Sequence, residues 1–95
     1  MNQAVALNQP DINNILSQVP HDFLHAKRLI TYLSDNPDSM TDDVIKECGV
    51  NNILGVARRL NNLIFKHSLF ISCKRDSGLS GGFAWGIYRI PGADK

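Results

Sequence analysis

No apolar run in this 95-residue chain approaches the roughly 20 residues that a helix needs to cross a bilayer. The first residues, Met1-Asn2-Gln3-Ala4-Val5-Ala6-Leu7, lack the basic segment and long apolar stretch of a secretory leader. A cytoplasmic protein with no membrane partner is the expectation. Cysteine is scarce, with only Cys48 and Cys73 present. Both fall at apolar positions of predicted elements, where a free thiol packs as a small hydrophobe. A disulfide between them would be unusual in a reducing compartment.

Catalytic and metal-binding patterns are equally sparse. His21 and His25 share a helix face beside Asp22, but no third ligand follows at a recognised zinc spacing. His67 and Cys73 lack an orienting third group and oxyanion donors. The glycines at 78, 81 and 82 lie between two strand-like runs, whereas a phosphate-binding loop leads from a strand into a helix. No cofactor, metal site or enzymatic activity is expected. Internal repeats and an interdomain linker are also lacking.

One domain with a modest core remains, with an ordinary hydrophobic content of 43%. The net charge of +1 conceals an asymmetry: residues 1–45 carry −4 and residues 46–95 carry +5. A basic half suits phosphate as a partner, and uneven surface charge is the plain alternative.

Residues 1–9 are amide-rich and uncharged, and they read as a flexible tail. Ile12, Ile15, Leu16 and Val19 follow at helical spacing, with Pro10 suited to a first turn. A helix this short is marginal alone, so residues 10–19 must pack on the domain or on a second copy, and they are the candidate dimerisation element. A second helix is predicted over residues 21–35, with Phe23, Ala26, Leu29, Ile30 and Leu33 inward and Asp22 at the positive end of its dipole. Pro37 stops it.

Thr41 is predicted to cap a third helix, with Asp42 and Asp43 in its first turn, Val44, Ile45 and Cys48 inward, and Gly49 as the left-handed residue that ends it. Asn51 or Asn52 caps the next helix, which runs to about residue 66. Its residues Ile53, Ala57, Leu60 and Ile64 fall within about 60° of arc. Asn51, Gly55, Arg58 and Asn62 lie opposite, flanked by Arg59 and Lys66. Two runs, 69–75 and 83–90, are rich in β-branched and aromatic residues and read as strands around a glycine- and serine-rich loop. Residues 92–95 are expected to be disordered.

The signals Thr41…Val44-Ile45…Cys48-Gly49-Val50, then Val56-Ala57-Arg58-Arg59-Leu60…Leu63, then strand, glycine loop and strand make residues 21–90 resemble the winged helix-turn-helix superfamily. The resemblance is one of pattern and reaches no narrower family. It implies an α+β fold of three core helices and a C-terminal β-hairpin wing, over a domain of residues 20–91, with an extra short helix in front. It also implies a sequence-specific double-stranded DNA-binding protein, a small transcriptional regulator of phage, plasmid or bacterial type.

In that reading the last helix enters the major groove. Arginine there can pair with guanine O6 and N7, and asparagine can pair with adenine. Arg58 and Asn62 are the candidate base readers. Asn51 and Asn52 stand at the helix N-terminus, where base or phosphate contacts are common. Gly55 would allow the helix backbone close to DNA, and Arg59 and Lys66 would meet phosphates. Lys74 and Arg75 lead into the wing, which would lie on the flanking backbone or minor groove. A dimer on two half-sites would strengthen binding. The rival readings are a protein-interaction module and a phage-type inhibitor of a host protein. An exposed apolar patch of Leu54 with Phe65 on the last helix would favour a protein partner.

Overall fold

In a computed structural model, which describes residues 4–75 and 82–90, the chain forms four α-helices and a three-stranded antiparallel sheet. It is an α+β arrangement, and none of the described helices is long and apolar enough to cross a membrane.

Helix α1 spans Gln9–Leu16, ending short of the expected residue 19. The Asn8 side chain accepts from the Asp11 amide at 2.9 Å and starts the helix, with Pro10 in its first turn. Ile12 and Ile15 are buried in the chain's own core, while Asp11, Asn13, Asn14, Ser17 and Gln18 face outward. The apolar stripe that suggested a dimerisation element at 10–19 is therefore occupied internally. Self-association through this helix would have to use its polar face.

Helix α2 spans Leu24–Asp35, three residues later than the pattern predicts. The Phe23 amide donates to the Pro20 carbonyl at 3.0 Å, so the chain turns once more before the helix begins. Asp22 consequently lies outside the helix, not in its first turn. Ala26, Leu29, Ile30 and Leu33 are fully buried along one stripe, as their spacing predicts.

Strand β1, Ser39–Met40, pairs with the later strand β3 through Ser39 to Trp85 and Met40 to Ala84. No sequence pattern announced it. Asp38 enters it in the left-handed region, φ +63°, which aspartate tolerates better than most residues. Helix α3, Thr41–Cys48, follows directly. Thr41 is its first helical residue and not its cap, which is Met40. Its hydroxyl instead accepts from Trp85 Nε1 at 2.7 Å and donates to the Phe83 carbonyl at 3.3 Å. The bond gives the N–H of the buried Trp85 a partner. Gly49 ends α3 at φ +66°, with its amide on the Ile45 carbonyl at 2.9 Å, and Val50 then drops fully into the core. Both outcomes match the expected left-handed glycine stop.

Helix α4 spans Ile53–Ile64 and closes in a short 3₁₀ turn at Phe65–His67. Strands β2, Leu69–Arg75, and β3, Phe83–Arg89, pair in register from Leu69 opposite Arg89 to Arg75 opposite Phe83. The sheet order β1-β3-β2 places β3 in the middle, and Trp85 and Ile87 join the core formed by the four helices.

The N-terminal segment, expected to fray, is held from Ala4 onward. The Val5 amide donates to the Ile87 carbonyl at 2.7 Å. The Ser34 hydroxyl bonds both polar groups of Leu7, accepting from its amide at 2.7 Å and donating to its carbonyl at 3.0 Å. Gly86 permits the close approach, because a Cβ there would come 2.8 Å from that of Ala4. Burial raises the Tyr88 hydroxyl pKa, with Asp38 and Cys73 adding to it. The Cys48 thiol is likewise raised by burial, against the lowering effect of Arg28. Cys48 and Cys73 are both free thiols.

Candidate nucleic-acid interface

Helix α4 packs into the core along one stripe. Ile53, Ala57, Leu60 and Ile64 are buried, which leaves the opposite stripe in solvent. Asn52 caps the helix, its side chain accepting from the Gly55 amide at 3.0 Å. Asn51, the alternative cap, stays exposed one residue outside. A Cβ on Gly55 would come 2.7 Å from Asn52 Nδ2. Glycine at this position is thus accounted for locally by the cap, without any approach of a ligand to the backbone.

Arg58, Asn62 and Lys66 are all exposed on the outer stripe. Arg58 and Asn62 are one turn apart, about 6 Å along the axis. Arg59 behaves differently. Its guanidinium lies 4.3 Å from the centroid of the Phe23 ring and 3.6 Å from the Asp22 carboxylate. The ion pair is exposed and contributes little alone, but stacking on a buried ring adds a directional contact. Arg59 therefore ties α4 to the turn before α2, and its charge is partly neutralised there. Sequence reasoning missed this because the two partners lie more than thirty positions away in the chain.

Beyond the helix, Lys74 on β2 is exposed and pairs with Asp38 at 3.7 Å, another weak surface pair. Arg75 ends β2, and residues 76–81 of the expected wing loop lie outside the described residues. Among the described side chains, the predicted cations do not form one uninterrupted basic strip. Arg58 and Lys66 lie on the open helix face, whereas Arg59 and Lys74 each face an aspartate.

Two hydrophobic side chains share that open face. Leu54 is 61% exposed and Phe65 66% exposed. They stand at its two ends, about 16 Å apart along the axis. The stripe between them reads Leu54, Arg58, Asn62, Phe65, a mixed polar and apolar surface.

No family model, curated protein or solved structure matches the chain. Among the described residues no group of three or more histidine, cysteine or acidic side chains gathers where a metal ion could be held. The residue at the interface that the sequence did not single out is Asn61. It lies beside the outer stripe of α4, half-buried, and bonds both backbone groups of Ile71 on β2.

Proposed function

We propose that this chain is a sequence-specific double-stranded DNA-binding protein of winged helix-turn-helix type, acting as a small transcriptional regulator. The observation that carries the reading is α4: its apolar stripe is buried, and its opposite stripe holds Arg58 and Asn62 one turn apart in solvent. That is the geometry an arginine and an asparagine need to reach base edges in a major groove. The order α2, α3, left-handed glycine, α4 and β-hairpin supports the same reading. Lys66 in the 3₁₀ turn after α4 and Lys74 on β2 serve phosphates, since each cation that meets a phosphate can release a counterion from the DNA.

A second reading, a protein-docking module, is favoured by the exposed Leu54 and Phe65 on the same face. The two readings differ in their response to salt. In fluorescence anisotropy with a random-sequence 30-base-pair duplex, binding is expected to weaken steeply as salt rises. The Lys66→Ala variant is expected to lower the salt slope by about one, for the single phosphate contact removed. Arg59 is left intact in this design because its removal would also loosen α4 from Phe23. No binding by the wild-type protein at low salt would reject the DNA reading in favour of a protein partner.

A further inference from the structure

We propose that Asn61 is a positioning residue of this interface. It fixes the placement of the β2–β3 hairpin against α4, so that Arg58 and Asn62 on the helix and Lys74 on the hairpin reach one duplex together. The inference rests on the DNA-binding reading above and adds to it the device that joins its two halves.

The Asn61 carboxamide makes two bonds to a single residue of β2. Its Oδ1 accepts from the Ile71 amide at 2.7 Å, and its Nδ2 donates to the Ile71 carbonyl at 3.0 Å. Strand β2 is an edge of the sheet. In an antiparallel ladder, alternate residues of an edge strand turn both backbone groups away from the partner strand. Ile71, which stands opposite Ile87, is such a residue, and the carboxamide takes the place a further strand would occupy.

The location gives this bond its consequence. Asn61 adjoins Asn62 and lies three residues beyond Arg58, while Ile71 lies three residues before Lys74. Buried apolar contact between α4 and β2 is non-directional and constrains sliding weakly. The paired hydrogen bonds are directional and select one residue of the strand. A slip of β2 by one residue would carry Lys74 about 3.3 Å along the strand and turn it to the opposite face. Trp85 donating to Thr41 at 2.7 Å holds β3 to α3 in the same way, so the hairpin base is gripped on both strands.

Double-mutant cycles on duplex binding test the proposal, because a merely structural role for Asn61 would not single out the hairpin cation. At one fixed salt concentration, Lys74→Ala is expected to weaken 30-base-pair duplex binding by about fivefold in the wild-type background and by less than about twofold in Asn61→Ala. Arg58→Ala is expected to cause the same fold loss in both backgrounds. Equal effects of Lys74→Ala in the two backgrounds would overturn the positioning role. Absence of duplex binding by the wild-type protein is a separate result that removes the DNA-binding reading itself.

Trp85 fluorescence verifies that each variant is folded. Asn61→Asp keeps the acceptor for the Ile71 amide but sets a carboxylate against the Ile71 carbonyl, and it is expected to lose the Lys74 effect in the same way. Wild-type hydrogen exchange provides a reading that needs no variant. The Ile71 amide is expected to exchange slowly despite its place on an edge strand, and exchange at the rate of an open edge would contradict the proposal.

Discussion

Arg58→Ala is expected to lower affinity for a selected specific duplex by about ten- to a hundredfold while changing affinity for random duplex far less, since one bidentate base contact supplies roughly 1–3 kcal/mol of discrimination. The expectation follows from where the side chain stands. Arg58 is exposed near the middle of α4, on the face opposite Ala57, Leu60 and Ile64, and the fold does not depend on its guanidinium. Its removal therefore costs little stability, and the loss registers in recognition. Asn62→Ala is expected to act similarly at a different base pair, and the two effects should add approximately for separate positions of the site. Arg59→Ala makes the contrast. It removes a contact to Phe23 and Asp22, so its effect should appear in thermal stability and resemble that of a structural residue. A competition experiment against random duplex separates the two arginines. Equal losses on specific and random DNA for Arg58→Ala would assign that residue to phosphate and not to bases.

The largest stability effect is expected from Leu60→Ala. Leu60 is fully buried on the inward stripe of α4, within the cluster that joins α2, α4 and the inner face of the sheet. Truncation of a buried leucine to alanine removes transfer energy and leaves a cavity, at a cost of about 2–5 kcal/mol. Domains of this size have a total stability of about 5–15 kcal/mol, so a large share is lost. Thermal unfolding followed by Trp85 fluorescence should show a fall of roughly 8–40 °C, at about 4–8 °C per kcal/mol for domains of this length. DNA binding should persist below the new transition, because the outer stripe is untouched. A shift of only a few degrees would mean that α4 is held by something other than its apolar stripe.

The elements that could be read from sequence are those fixed by local chemistry. Gly49 is fixed by a backbone conformation that glycine adopts without strain. The α4 stripe is fixed by period, and β2 and β3 by β-branched and aromatic runs on either side of a glycine-rich loop. What could not be read depends on partners distant in the chain. Strand β1 has two residues, too few to carry an alternating pattern, and exists because β3 offers a free edge to Ser39 and Met40. Thr41 is of a residue type that caps helices, yet it stands inside α3 and its hydroxyl bonds Trp85, more than forty residues away, because the indole N–H needs an acceptor. Helix α2 begins late because the turn at Pro20 to Phe23 intervenes and Phe23 is buried beneath Arg59. The start of the chain is polar and small and reads as loose, but Ser34 and Ile87 supply partners for its backbone.

The same division holds at the candidate site. The outer face of α4 was legible as a set of positions, and Arg58, Asn62 and Lys66 are exposed as expected. The roles of its neighbours were not legible. Asn52 and Gly55 are linked by a cap, Arg59 is engaged with Phe23, and Asn61 grips β2 at a position between the inward and outward stripes. A helical wheel gives each residue an angle but not the element that meets it there. The exposed Leu54 and Phe65 were foreseen as the mark of a protein partner, and their presence keeps that reading in view.

An amide chemical-shift map of the ¹⁵N-labelled protein, titrated with a 30-base-pair duplex at low salt, tests whether the outer face of α4 meets DNA. Shifts are expected to concentrate at Gly55, Arg58 and Asn62 on α4, at Asn51 before it, at Lys66 in the 3₁₀ turn after it and at Lys74 on β2, with α1 and the outer side of α2 unchanged. Shifts confined to α1 or α2, or no shifts at all, would contradict that contact.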